Sequence, residues 1–218
     1  MTFIFRIFLV GFLLVLTAPH TFAQDKTFFR HFAYYQDSTI TALLQDGTGE
    51  RWAGTPGGVY RFNNLSTKAF HHKANDTTSL SSNSCTALFL DAAGTVWAGT
   101  SNGLNRLTNR RRSWARYMND PNDKHSLSNN NITAICQDKN GVIWVGTADG
   151  LNALYLESNR FDRYTKQNNN LPDNHITALQ DDKKGTLWVG TKSNGIASFD
   201  DASQAFIIPK ANNNLPNG

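Results

Sequence analysis

Two cysteines, two methionines and six prolines among 218 residues leave little from which to build a disulfide scaffold, a metal cage or a proline-rich linker. No Cys-x-x-Cys or His-x-x-x-His spacing occurs, and the adjacent His71 and His72 would point to opposite faces of a strand, so no metal set is expected. Charge of one sign is scarce too. The chain carries 21 basic against 17 acidic residues, and loss of the first 23 residues would leave a net charge of +3. That is too slight for a nucleic-acid binder, which concentrates basic residues on one face. Nucleophile elbows, phosphate loops and paired acids that escape the internal repeat are missing, and so is any helical periodicity. What remains is a chain rich in short apolar strands, glycine and asparagine.

Only one long apolar run exists, and it is at the N-terminus. Arg6 precedes the run Ile7 to Ala18, and Thr21-Phe22-Ala23 forms a small-residue cleavage site before Gln24. This reads as a secretory signal peptide over residues 1–23. The run is shorter than the roughly 18–20 apolar residues that span a bilayer. A cleaved, periplasmic product with no membrane span is therefore expected. An exported chain with two cysteines invites a disulfide. However, Cys85 and Cys136 each replace an apolar residue in a repeated strand, and adjacent sheets stack about 10 Å apart, too far for a bridge. Two free, buried thiols are expected.

The rest is ordered by a repeat that occurs four times, starting at Ile40, Cys85, Ile132 and Ile176, at spacings of 45, 47 and 44 residues. Asp follows at Asp46, Asp91, Asp138 and Asp182, and Gly at Gly49, Gly94, Gly141 and Gly185. Trp then comes at Trp52, Trp97, Trp144 and Trp188, and a Gly-Thr pair opens at Gly54, Gly99, Gly146 and Gly190. Each copy divides into four short strands. The first is apolar on both faces and ends in Asp-x-x-Gly, a type I turn with Asp first and Gly fourth. The second carries Trp, and its Gly-Thr glycine suits close approach of a neighbouring backbone. A turn such as Ser101-Asn102-Gly103 or Ala148-Asp149-Gly150 follows; Asn-Gly and Asp-Gly favour hairpins whose central residues both have positive φ. Four strands per repeat at this period predict an all-β fold, a β-propeller of four-stranded antiparallel blades over residues 24–218. Four full blades are expected, at about 40–73, 85–117, 132–164 and 176–208. Residues 28–32 resemble an orphan fourth strand, and 212–218 the start of a fifth repeat. The ring is thus expected to be incomplete, with uncovered blade faces able to pair two copies.

Function in repeat proteins sits where the repeats differ. The loops from one blade to the next are long, polar and unlike one another, and strand alternation places them on the same face as the turns between the second and third strands. Asp76, Asn102, His125, Asp149, His175 and Lys192 would line that rim with groups suited to hydroxyl-rich sugars. The same residue types also serve simply as turn formers. Arg106, Arg110, Arg111, Arg112 and Arg116 gather mainly at the opposite face, where they could hold an anionic saccharide or form a solvated hairpin.

The D-x-x-G-x-x-W-x-G-T core, present from Asp91 to Thr100 and again from Asp138 to Thr147, resembles the two-component regulator propeller repeat. The resemblance covers residues 27–218. It implies the exported sensor region of a hybrid two-component regulator, a family in which many members detect polysaccharide breakdown products. The membrane helix, histidine kinase and DNA-binding output of such regulators are expected outside this chain, which is therefore expected to be non-enzymatic and to need no cofactor. An oligosaccharide is the partner implied. Two alternatives stay open: a propeller lyase or hydrolase of the streptogramin-lyase type, whose catalytic groups would converge on the central channel from different blades, and a protein-interaction scaffold.

Overall fold

A computed structural model describes residues 39–63, 66–108, 113–182 and 184–209. The chain divides into a unit of residues 1–36, outside the described residues, and a unit of residues 37–218. The expected signal peptide, the orphan strand at 28–32, the fifth-repeat start at 212–218 and Arg110 to Arg112 also lie outside the described residues.

Sixteen strands form four antiparallel sheets, each with its strands in chain order. Blade 1 is β1 (Ala42–Gln45), β2 (Arg51–Thr55), β3 (Gly58–Phe62) and β4 (Thr67–Phe70). Blade 2 is β5 (Cys85–Leu90), β6 (Val96–Thr100), β7 (Gly103–Thr108) and β8 (Ser113–Tyr117). Blade 3 is β9 (Ile132–Gln137), β10 (Ile143–Thr147), β11 (Gly150–Tyr155) and β12 (Arg160–Tyr164). Blade 4 is β13 (Ile176–Asp181), β14 (Leu187–Thr191), β15 (Ile196–Asp200) and β16 (Ala205–Ile207). This is the all-β propeller architecture that the repeat predicts. A single turn of helix, α1 (Lys166–Asn169), interrupts the loop into blade 4 and has no counterpart in the repeat pattern.

The first turn of each blade is closed from both sides of one carboxylate. Gly49, Gly94, Gly141 and Gly185 donate their N–H to the carbonyl of the Asp three residues earlier, with φ between 76° and 87°. Oδ1 of that Asp accepts a backbone N–H four residues on, from Glu50, Thr95, Val142 and Thr186 at 3.2, 2.7, 3.0 and 2.9 Å. Oδ2 accepts the indole N–H of the blade's Trp: Trp52 at 3.0 Å, Trp97 at 2.9 Å, Trp144 at 2.8 Å and Trp188 at 3.3 Å. In Asp182 these bonds, led by the Thr186 N–H, hold the carboxyl below its ordinary pKa.

The second turn differs from the Asn-Gly hairpin that the sequence suggests. Asn102 and Asp149 keep negative φ, and only Gly103 (110°) and Gly150 (118°) turn positive. The Thr of Gly-Thr makes this turn. Thr100 Oγ1 accepts the Asn102 N–H at 3.2 Å and donates to the Gly103 carbonyl at 2.8 Å; Thr147 does the same with Asp149 (3.1 Å) and Gly150 (2.8 Å).

Adjacent blades lock through the glycine of the same pair. A Cβ on Gly99 or Gly146 would stand 2.6 Å from Cγ2 of Ile132 or Ile176, and one on Gly54 2.6 Å from Sγ of Cys85. Each glycine admits the first side chain of the next blade, rather than a neighbouring backbone. The second residue of the repeat adds a bond across the same seam: Thr41 Oγ1 donates to Cys85 O (2.7 Å) and Thr86 Oγ1 to Ile132 O (2.6 Å). Further out, aromatic rings run from blade to blade. Trp52 meets Phe70 and Phe70 meets Trp114; Trp97, Tyr117 and Phe161 repeat the arrangement, as do Trp144, Tyr164 and Phe206, with centroids 5.4 to 5.9 Å apart. Among the described residues the packing stops at the outer faces of blades 1 and 4. Trp188 is 36% exposed against 2% or less for the other three, and the three atoms nearest to a Cβ at Gly190 all belong to blade 4 itself. Ile40 and Leu43 are exposed on blade 1.

Cys85 and Cys136 are free and buried, and burial pushes both thiols up to about 12. The raised value leaves almost no thiolate near neutrality. Neither thiol should therefore react with an aromatic disulfide reagent in the native protein at pH 8, and both should react on unfolding; fast labelling of the native chain would contradict this burial. Truncating Trp144 to alanine should cost about 3–5 kcal/mol in thermal or denaturant unfolding, the usual loss for a buried aromatic. Trp188→Ala should cost clearly less, and equal losses would mean that the two indoles share one environment.

Candidate functional site

The loops between blades and the turns between second and third strands are knitted into one rim. Gly103 N donates to Asn130 O (2.6 Å), Gly150 N to Asn174 O (2.7 Å), Ser101 N to Ser84 O (2.9 Å), Ala148 N to Asn131 O (3.0 Å) and Lys192 N to His175 O (3.0 Å). Beneath the rim of blades 2 and 3 lies a repeated buried network. The Ser81 N–H donates to Asn105 Oδ1 (2.8 Å), and Asn105 Nδ2 donates to Ser81 Oγ (2.9 Å) and to Ala98 O (3.1 Å). Ser128, Asn152 and Val145 repeat these bonds at 2.8, 3.0 and 3.1 Å. Blade 4 has Pro172 and Ala197 at the corresponding places, so serine and asparagine are lost together. Arginines clamp the loops from outside. Arg116 donates to the carbonyls of Asp76, Ser79 and Leu80 at 2.7 to 2.9 Å, and Arg163 to those of Ser126 and Asp123, both at 2.8 Å.

Three of the six predicted rim residues fall together at the junction of blades 3 and 4. Asp149 Oδ1 accepts Asn174 Nδ2 at 3.0 Å, Asn174 precedes His175, and the His175 carbonyl accepts the Lys192 N–H. Among the described residues, the side chains of His175 and Lys192 have no hydrogen-bond partner. Asp173 extends this ridge by accepting the Ser193 N–H at 3.1 Å. Asp76 belongs to the loop between blades 1 and 2, where Thr78 donates both its N–H (2.9 Å) and its hydroxyl (2.6 Å) to Oδ1. The hydroxyl bond, with the N–H second, lowers the Asp76 pKa. Asp76 therefore serves its own turn. Asn102 is an exposed turn residue above Thr100. His125 lies at the outer edge of blade 3, with Nδ1 3.3 Å from Phe161 O and 3.9 Å from Asp162. It shares a cleft there with Asn168 and Asn169 of α1, and the Lys166 N–H of the same turn of helix donates to Asn174 Oδ1 on the ridge.

The arginines split between roles. Arg116 clamps a loop, whereas Arg106 lies over the Trp97 ring at 5.5 Å. Gly99-Thr100-Ser101-Asn102-Gly103 spells a Gly-x-Ser-x-Gly, yet Ser101 tops a turn between β6 and β7, with no following helix to form an elbow. Among the described residues no three His, Cys, Asp or Glu side chains converge as a metal set, and no helix is long and apolar enough to cross a membrane. Sequence reasoning missed Ser81, Ser128 and the arginine clamps, although the recurring Leu-Ser-x-Asn at Leu80 and Leu127 marks the loops that they hold.

The family model for the two-component regulator propeller matches residues 79–102, 126–149 and 170–193, each running from a loop through strands one and two to the next turn. Three of the four blades thus match that repeat. The repeats share their fold with an extracellular domain described as that of a hybrid two component system from B. thetaiotaomicron, at TM-score 0.70 and 22% identity over 77% of this chain and 24% of that one. Virginiamycin B lyase from Staphylococcus aureus superposes at 0.59 and 14% identity over 79% and 57%, and PorZ of the Porphyromonas gingivalis type-IX secretion system at 0.57 and 14% over 83% and 28%. This chain thus spans about a quarter of the length of the two-component relative. Among curated proteins no match reaches significance.

Removing the buried amide under the rim should destabilise the repeats directly. Asn152→Ala leaves the Ser128 N–H without its acceptor, removes the side-chain bond to the Val145 carbonyl and should cost about 1–3 kcal/mol. Unfolding curves check this, and an unchanged stability would mean that water replaces the amide.

Proposed function

We propose that this chain is the exported, periplasmic ligand-sensing propeller of a two-component regulatory system, that it binds a carbohydrate-type ligand at its loop rim, and that it catalyses no reaction itself. Phosphotransfer would be carried outside these residues. The observation that carries this reading is the match of three successive blades to the two-component regulator propeller repeat. Supporting it, the N-terminal segment has the pattern of a cleaved export signal. The rim at the junction of blades 3 and 4 mixes acceptors in Asp149 and Asp173, a donor in Lys192 and both kinds in Asn174 and His175. A sugar offers hydroxyls that act as donor and acceptor at once, so such a mixture can satisfy it without a net charge. A sensing module needs affinity that separates ligand-bound from free states, and needs no group placed to make or break a bond.

Isothermal titration of the purified chain against a panel of neutral and acidic oligosaccharides tests the proposal. One class should bind saturably, with unchanged saccharide recovered after incubation. Binding of none would remove the carbohydrate reading, and consumption of a saccharide in the presence of a divalent metal would replace a sensor with an enzyme.

A further inference from the structure

The outer edge of blades 3 and 4 departs from the repeat in a second way. In blades 2 and 3 an arginine on the fourth strand, paired with Asn105 or Asn152, clamps the loop that precedes the blade. The blade 4 register carries Ile208 to that place, and the loop before it holds α1 in place of a clamped turn. Beside α1 lies a cleft of about 500 Å³, lined by Lys124 and His125, by Asp162 to Tyr164 on β12, by Asn168 and Asn169 on α1, and by Gln204.

Several lining groups have hydrogen-bonding capacity left over. Among the described residues Lys124 makes no hydrogen bond or ion pair, and the Asp162 carboxylate has only the His125 ring, 3.9 Å away. Arg163 uses Nε and Nη2 on the loop carbonyls and leaves Nη1 free. Asn169 Nδ2 donates to Gln204 O at 3.1 Å, but its Oδ1, closed off from solvent, has no donor. Tyr164 is held at the back by a bond from its hydroxyl to Gln204 Oε1 at 3.2 Å.

We propose that this cleft is a sugar-binding subsite that takes one hydroxyl-rich ring, separate from the Asp149–His175–Lys192 ridge. The inference rests on the carbohydrate reading above. Lys124 and Arg163 Nη1 supply donors, and the Asp162 carboxylate and Asn169 Oδ1 supply acceptors. A ring hydroxyl can donate to the carboxylate while accepting from the ammonium, which two vicinal hydroxyls do together. α1 joins the subsite to the ridge, since Lys166 N–H is held by Asn174 while Asn168 and Asn169 face the cleft. A longer saccharide could therefore run from one to the other.

Titration of isotope-labelled chain with glucose, galactose, mannose and xylose, followed by amide and imidazole NMR, tests the subsite. At least one sugar should shift the side-chain amides of Asn168 and Asn169 and the His125 ring saturably. Asp162→Ala, at an exposed position, should weaken that binding by about tenfold, whereas Glu157→Ala, on the exposed turn between β11 and β12, should leave it unchanged. Shifts confined to Asp149, Asn174 and His175, or binding indifferent to Asp162→Ala, would overturn the subsite while the carbohydrate sensor stands. No response to these sugars, with oligosaccharide binding that survives Asp162→Ala, would also overturn it. Silence toward both monosaccharides and oligosaccharides would remove the sensor reading with it.

Discussion

Each blade depends on one carboxylate that faces two ways. Asp46, Asp91, Asp138 and Asp182 close a tight turn with Oδ1 and hold the indole of the following strand with Oδ2. A Trp N–H buried without an acceptor would cost on the order of 1–3 kcal/mol, and the repeated Asp removes that cost in the three blades whose indole is buried. Fixing the indole fixes more than one blade. Its ring meets the last aromatic of the same sheet, and that ring meets an aromatic of the next sheet. The turn, the strand pairing and the seam between blades are therefore one coupled system, which is why Asp, Gly and Trp keep a constant register through the repeats.

The seam sets a second constraint, and it is steric. Where Gly54, Gly99 and Gly146 pack, a methyl group would meet the first side chain of the next blade at 2.6 Å. Interiors as dense as crystals leave no slack for such a group. The spacing from glycine to the incoming residue is then a property of two blades at once, and it keeps successive repeats close to the same length. Gly190 has no such neighbour among the described residues, and Trp188 in the same blade is partly exposed. Burial of the indole thus follows from the next blade and not from the sheet that carries it.

These couplings explain how much could be read from the chain itself. The four-strand unit, its first turn and the free thiols were legible because each rests on a local rule repeated with one spacing. The division of labour inside the motif was not. Asp read as a turn former, and its bond to Trp, six residues away and across a hairpin, has no signature beyond the fixed interval. The Gly-Thr threonine read as a strand end, whereas it closes the next turn by accepting one N–H and giving its own proton to a carbonyl. The Asn-Gly pairs pointed to a hairpin with two positive φ values. A threonine hydroxyl that satisfies the turn from inside makes the second of them unnecessary.

The loop rim was legible as a region and not as a set of residues. Asp149, His175 and Lys192 meet because a loop and two turns from adjacent blades interlock through backbone bonds, and such meetings depend on register across a seam. Asp76 shows the opposite case: its carboxylate is spent on Thr78 and leaves little for a ligand. A polar loop residue becomes available for binding only when its own turn does not need it. The loop into blade 4 meets that condition most fully. The paired loss of serine and asparagine at Pro172 and Ala197, together with Ile208 in place of an arginine, removes the bonds that hold the other loops, and a helical turn stands there instead. In a molecule whose stability comes from sameness, the blade that has given up the shared bonds is the one free to acquire a specificity of its own.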